Sequence, residues 1–240
     1  MTDTGRGAWT RRGFPAEFTK MYRRHLVAPA TGAEPDKNQD FLAVHYGVLA
    51  IQNLLNYNGW VLDYSTGPGI FGPKTDKVVR SFQAARVPPA DGIAGPNTLR
   101  ALLRKPIKEQ QTIYGIPDNL LAGLIAQESG YDPGAVGYIT PSDLGLVQIN
   151  TAVHPVTVEQ AFDPFYSIPW AARRISSKYK DFLGDGAQAP DDFIRLCWDC
   201  AIASHNSPVL AQKWYAAKTP PTEKIFAYVQ NVRKFGLLYG

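Results

Sequence analysis

The chain is poor in sulfur and has no long apolar stretch. Its 240 residues include two cysteines, two methionines and four histidines. The cysteines stand together in Cys197-Trp198-Asp199-Cys200. Without a second pair or a neighbouring histidine they cannot complete a tetrahedral metal site. His25, His45, His154 and His205 are scattered without ligand spacing, so neither a metal nor any other cofactor is expected. The preceding Phe193-Ile194-Arg195-Leu196 reads as helix, which points first to buried free thiols and second to a redox pair. No apolar run approaches the roughly 20 residues that span a bilayer. The amino terminus lacks the apolar core of a secretory signal. The expectation is a product that reaches any target beyond the cytoplasm through a hole, a lysed cell or another pathway.

What is present describes a globular protein, with 45% hydrophobic and 19% charged residues. The length suits one large or two small domains. The net charge of +4 is carried by the first 26 residues, where Arg6, Arg11, Arg12, Lys20, Arg23 and Arg24 face only Asp3 and Glu17. Such a lead either steers the chain to an anionic polymer or surface or is a solvated tail. Phe14, Phe18, Met21 and Tyr22 have helical spacing beside these charges, for docking onto the next domain or onto an anionic membrane. Residues 27–40, with Pro29, Gly32 and Pro35, read as a linker. No nucleic-acid partner is expected, and nothing demands more than a monomer.

A helical pattern follows, with Val44, Val48, Ile51 and Leu55 on one face and a stop at Asn58-Gly59. Then Gly69-Ile70-Phe71-Gly72-Pro73-Lys74-Thr75 leads into Val78, Val79 and Phe82. The motif returns as Gly92-Ile93-Ala94-Gly95-Pro96-Asn97-Thr98, leading into Leu99, Leu102 and Leu103. Each copy is a glycine turn feeding a helix with proline at its first position. Two copies and the leading helix make a small three-helix core. Ile51-Gln52-x-Leu54-Leu55, Gly59, Gly69-x-Phe71-Gly72-x-x-Thr75, Phe82-Gln83 and Asp91-Gly92-Ile93-x-Gly95-Pro96-x-Thr98 resemble the peptidoglycan-binding domain of many cell-wall hydrolases. The resemblance covers residues 41–104 and implies recognition of wall polymer. Trp60 and Tyr64, beside the glycine turns, are candidate stacking surfaces for sugar; ordinary packing is the other reading.

The second half reads as helices over 117–129, 168–182, 190–205, 207–217 and 222–235, with a loop or short hairpin region at 131–150. Leu121, Leu124, Ile125 and Glu128 fall on one face of an amphipathic helix. Gly130 and Pro133 end it, so Glu128 lies in the last turn, against the negative end of the helix dipole. Burial and that dipole both disfavour its ionised form, as a general acid for glycoside cleavage requires. Asp132 beside Pro133 reads as a turn former.

Glu128-Ser129-Gly130 is followed in order by Asp143-Leu144-Gly145-Leu146-Val147-Gln148-Ile149-Asn150, Phe162-Asp163-Pro164, Ser204-His205-Asn206-Ser207-Pro208 and Tyr228-Val229. This series resembles the lysozyme-like soluble lytic transglycosylases, from about Tyr114 to Tyr239. The resemblance implies that Glu128 is the catalytic acid and base and that Ser129 supports its carboxyl group. It implies that Gln148 and Asn206 reach the glycan and that Tyr228 holds the acid. Val147 replaces a methionine of the family pattern, His205 a tyrosine and Pro208 a glycine, which leaves the shape of one subsite open; His205 is kept as a candidate substrate contact. Gln148 and Asn206 can instead satisfy buried backbone groups. Asp143 also matches the second carboxylate of vertebrate-type lysozymes. Paired carboxylates lie about 5 Å apart in retaining hydrolases and roughly 6.5–9.5 Å apart in inverting ones. If Asp143 faces Glu128, water is the acceptor; if it turns away, the C6 hydroxyl of the sugar attacks and leaves a 1,6-anhydro product. A loop aspartate bonded to nearby amides is the third option.

The expected fold is mainly α. A basic extension and linker (1–36) precedes a three-helix peptidoglycan-binding domain (37–105) and a lysozyme-like, mostly helical catalytic domain (106–240). The expected partner is bacterial peptidoglycan, cleaved at the β-1,4 bond between N-acetylmuramic acid and N-acetylglucosamine. The leading reading is a phage endolysin acting as a lytic transglycosylase, held in the host cytoplasm until holin-type release. A muramidase using Glu128 and Asp143 is the alternative, and a non-catalytic wall-binding protein the competing class. Residues 106–240 alone are expected to act on soluble fragments but to bind intact wall poorly.

Overall fold

The computed structural model describes residues 37–63, 68–185 and 189–239. The basic lead, its Phe14, Phe18, Met21 and Tyr22, and Tyr64 lie outside the described residues. The elements in order are α1 (Lys37–Tyr57), α2 (Pro73–Arg86), α3 (Pro96–Tyr114), α4 (Leu120–Ser129), β1 (Asp143–Leu144), β2 (Ile149–Asn150), α5 (Val158–Phe162), α6 (Pro164–Leu183), α7 (Asp191–Asn206), α8 (Pro208–Ala217) and α9 (Glu223–Leu237). The fold is mainly α, as expected. Residues 37–40, read from sequence as linker, belong to α1. The chain divides into two compact units. The first holds the described residues up to Lys105 together with Ser129–Ser167; the second holds Pro106–Glu128 and the chain from Ile168 onward.

In the first unit, Ile51, Leu54, Leu55, Val79, Phe82, Leu99, Leu102 and Leu103 are buried together. Each such side chain contributes on the order of 2 kcal/mol by leaving water. Val44, expected on this face, is 51% exposed; Gly47, Ala50, Ile51, Gln52, Leu54 and Leu55 are the buried residues of α1 among those whose burial is described. The two glycine turns are built alike. Gly69 and Gly92 take φ of 73° and 74°, the left-handed region that glycine enters at little cost. Each turn is clamped by a buried glutamine from an earlier helix. Gln52 accepts from the Gly69 N–H at 2.9 Å and donates to Ile70 O and Thr75 Oγ1, both at 3.1 Å. Gln83 accepts from the Gly92 N–H at 2.8 Å and donates to Ile93 O at 2.9 Å and Thr98 Oγ1 at 3.0 Å. The repeat is therefore one hydrogen-bonded device used twice, satisfying turn groups that burial cuts off from water.

Residues 129–167 pack on this same unit. β1 and β2 pair antiparallel, Asp143 opposite Asn150, so the expected hairpin region is a short hairpin. Gly145, with φ 72°, closes on α5; a Cβ there would lie 2.0 Å from Ala161 O. α1 lies against the loop and against α5. A Cβ on Gly134 would lie 2.7 Å from Ala43 O, and one on Gly47 would lie 3.2 Å from Gly134 Cα. Tyr46 stacks on Phe162 with ring centroids 5.6 Å apart, and its hydroxyl donates to Glu159 at 2.8 Å. Asp132 is a turn former, with Oδ1 accepting from the Gly134 N–H at 2.8 Å.

In the second unit, α4 is not amphipathic. Leu120, Leu121, Ala122, Leu124, Ile125 and Ala126 are all buried; no charged residue precedes Glu128 in the helix, so no face is made for water. α7 is buried along Cys197–Ser204, and both cysteines are free and buried. Burial pushes the Cys200 thiol up to about 12 and raises Cys197 as well, so both are held as thiols rather than reactive thiolates.

Residues 106–240 in isolation lack the α1 surface under 131–150. Amide exchange in that segment should be roughly tenfold or more faster there than in the full chain; equal protection would contradict the packing. Burial pushes Asp132 from 3.8 up to about 6. The stability it contributes is therefore present below pH 3.8 and lost as pH rises through about 6. Asp132→Asn keeps the acceptor for Gly134 without the charge. At pH 7 it should raise unfolding free energy by about 1–3 kcal/mol in urea titrations, with little gain at pH 4.

Candidate active site

Glu128 sits in the last turn of α4, which Gly130 terminates at φ 63°. Its side chain is 16% exposed. Two groups of the second unit converge on its Oε1. The Tyr228 hydroxyl donates a hydrogen bond to it, and His205 Nε2 lies 4.0 Å away with its own side chain 7% exposed. Burial, then the charge of Glu128 and the hydrogen bond to it, hold the Tyr228 hydroxyl well above its ordinary range. The phenol therefore stays protonated and remains a donor.

Close backbone approaches deliver these groups. A Cβ on Gly123 of α4 would lie 1.9 Å from Val232 O of α9, and one on Gly236 of α9 would lie 2.6 Å from Asn119 O. Only glycine lets α4 and α9 come this near, which sets the reach of Tyr228 to Glu128. α7 and α9 are joined by an ion pair: Arg233 Nε and Nη2 lie 2.6 and 2.5 Å from Asp199 Oδ1. Burial raises the Asp199 carboxyl and Arg233 opposes that rise. His205 and Tyr228 stand on these two joined helices.

The remaining candidates are distributed between the units. Asn206, in the second, ends α7 and is exposed, and its side chain makes no hydrogen bond among the described residues. Pro208 is the first residue of α8, capped by Ser207 Oγ accepting from Leu210 N–H at 3.4 Å, so the proline starts a helix. In the first unit, Ser129 is buried at the end of α4. Gln148 has φ 49°, and its Nε2 donates to Gly145 O at 2.9 Å and Ala135 O at 3.4 Å. Its amide nitrogen thus braces the hairpin loop, while Oε1 makes no hydrogen bond among the described residues. Asp143 lies in β1, and its carboxylate likewise has no hydrogen bond among the described residues. Trp60 is half-buried and meets Phe82 edge-on at 5.8 Å, so part of its ring serves packing. Sequence reasoning missed Trp170, whose ring lies 6.3 Å from that of His205. Among the described residues no group of three or more His, Cys, Asp or Glu is arranged to hold a metal ion.

Comparison with known families gives two matches. Residues 45–102 match the family described as putative peptidoglycan binding domain, and residues 105–221 match the transglycosylase SLT domain. No curated protein and no solved structure matches the chain. Tyr228 lies beyond the second match, so it is geometry that joins it to Glu128.

Tyr228→Phe removes one hydrogen bond to Glu128 without changing the ring. Such bonds to charged groups are worth about 1.5–3 kcal/mol, so turnover on isolated wall should fall about tenfold to hundredfold. Unchanged turnover would mean that Tyr228 does not act on the carboxyl group.

Proposed function

We propose that this chain, a peptidoglycan-degrading lytic transglycosylase, uses Glu128 as its single acid and base on the β-1,4 bond between N-acetylmuramic acid and N-acetylglucosamine. The observation that carries the reading is the shielded carboxyl group at the end of α4 with the Tyr228 phenol donating to it. Glu128 gives its proton to the glycosidic oxygen as the C1–O bond breaks, and positive charge builds at C1. The resulting carboxylate takes the proton of the C6 hydroxyl, whose oxygen closes on C1. One proton leaves Glu128 and one returns; no water is consumed. Tyr228 orients the carboxyl group through both transfers.

Gln148 Oε1 and the open amide of Asn206 are offered as acceptors and donors for the N-acetyl and hydroxyl groups of the glycan, with Ser129 and His205 beside the acid. Asp143 is retained as the carboxylate a hydrolytic variant of the reaction would need. Trp60 and Tyr64 are offered as wall contacts of the binding domain. The domain limits we propose are 37–105 and 106–240; the family matches over 45–102 and 105–221 support a division near residue 105. No described helix is long and apolar enough to cross a membrane. Joining a wall-binding domain to a glycan-cleaving one suits an endolysin that acts on the wall after release through a membrane lesion, as a monomer.

Glu128→Gln is nearly isosteric and cannot exchange the proton. It should lose at least about a hundredfold in wall clearing while its unfolding transition is unchanged. Equal clearing by the variant defeats the reading. Muropeptides released by the wild type should weigh one water less than hydrolysed ones; products with free reducing ends would replace transglycosylation by hydrolysis involving Asp143.

A further inference from the structure

Trp170 and Arg174 lie one turn apart on α6, in the second unit. The guanidinium Cζ sits 4.8 Å from the Trp170 ring centroid. The other side of this pair leads back to the site: Trp170 meets His205 edge-on at 6.3 Å, and His205 Nε2 is 4.0 Å from Glu128 Oε1. Four functional groups thus run in a row, from carboxyl to imidazole to indole to guanidinium.

Arg174 differs from the other half-buried cations of this unit: Arg233 is paired with Asp199 and Lys178 with Asp181. Arg174 is half-buried, and among the described residues it has neither an ion pair nor a hydrogen bond. Burial alone acts on it, lowering its pKa, with no carboxylate to offset that loss. A partly desolvated guanidinium without an anion is a cost to the folded chain. Its place over the Trp170 ring returns only part of that cost. A guanidinium fork suits a carboxylate, which it grips through two parallel hydrogen bonds.

The substrate has such a group in one place. The sugars of the glycan are uncharged where the lactyl carboxyl is amide-linked to the stem peptide, and the stem itself carries free carboxylates. An extended stem advances at most about 3.3–3.6 Å per residue. A carboxylate two or three residues along it therefore lies within roughly 7–11 Å of the sugar.

We propose that Arg174, set over the ring of Trp170, is a specificity-determining residue that binds a carboxylate of the muropeptide stem beside the cleaved bond. The inference rests on the transglycosylase reading above and adds the part of the substrate that this reading leaves unassigned. It makes the enzyme selective for glycan that still carries its peptides.

The test compares the full-length chain on two substrates: glycan strands bearing stems, and the same strands stripped of stems by an amidase. Arg174→Gln should lower the preference in kcat/KM for stem-bearing over stripped strands about tenfold, chiefly through KM. Arg174→Lys, with charge but no fork, should recover part of it. An unchanged preference, or equal losses on both strands, overturns the assignment. A readout independent of turnover is calorimetric binding of the free stem tripeptide to the full-length wild type, expected to vanish when its carboxylates are amidated. Equal binding of the amidated peptide, or no binding of either form, also overturns it. A wild type that cleaves neither strand refutes the transglycosylase reading itself, whereas cleavage of both strands without preference refutes only the role of Arg174.

Discussion

The second unit is organised around one approach: α4 and α9 meet with no side chain between them at Gly123 and Gly236. The consequence is chemical. Five residues after Gly123 comes Glu128, and eight residues before Gly236 comes Tyr228; their side chains join at the end of the contact. A methyl group at either glycine would collide with backbone, which cannot yield as a flexible side chain can. The Asp199–Arg233 pair then fixes α7 to α9, and with it the distance from His205 to Glu128. A buried ion pair of this kind adds little net stability, but losing one partner leaves an uncompensated charge. Its worth here is positional.

The first unit uses hydrogen bonds for the same end. Gln52 and Gln83 each hold a glycine turn at three equivalent points, Gln83 adding a bond to Asp91, and each turn starts a helix of the shared core. The helix that supplies Gln52 also presents Gly47 and Tyr46 to residues 131–165. The segment matched as wall-binding domain and the hairpin with Gln148 and Asp143 thus share one packed body. A domain that recognises wall polymer contributes in this way to the rigidity of a candidate glycan contact.

Much of this was legible in the sequence, and the residues say why. Helix ends were set by local chemistry: Gly130 after α4, and Pro73 and Pro96 opening the two repeat helices. Glu128 stood out as a candidate acid because a lone carboxylate at the end of an apolar helix is an anomaly. What stayed hidden depends on tertiary contact. The Leu121-Leu124-Ile125 stripe implied one apolar face, although Leu120, Ala122 and Ala126 are buried too; small residues read as neutral in a pattern yet face a neighbouring helix. Val44 matched the helical period but is 51% exposed; periodicity does not tell where along a helix face the packed neighbour ends. The grouping of 129–167 with the first unit has no local signal, since Gly134 and Phe162 find α1 only after folding. Trp170 and Arg174 went unread because four-residue spacing of an aromatic and a cation is common on any helix face.

The account turns on a proton held at Glu128 and passed through the reaction. The most direct measurement is a carboxyl-carbon NMR titration of Glu128 in the full-length protein, recorded beside the pH dependence of kcat under the same conditions. The account predicts that one limb of the rate profile shares its midpoint with the Glu128 titration, and that the two move together in Tyr228→Phe. A rate profile whose limbs stay apart from the Glu128 titration, in the wild type and in the variant, would contradict it.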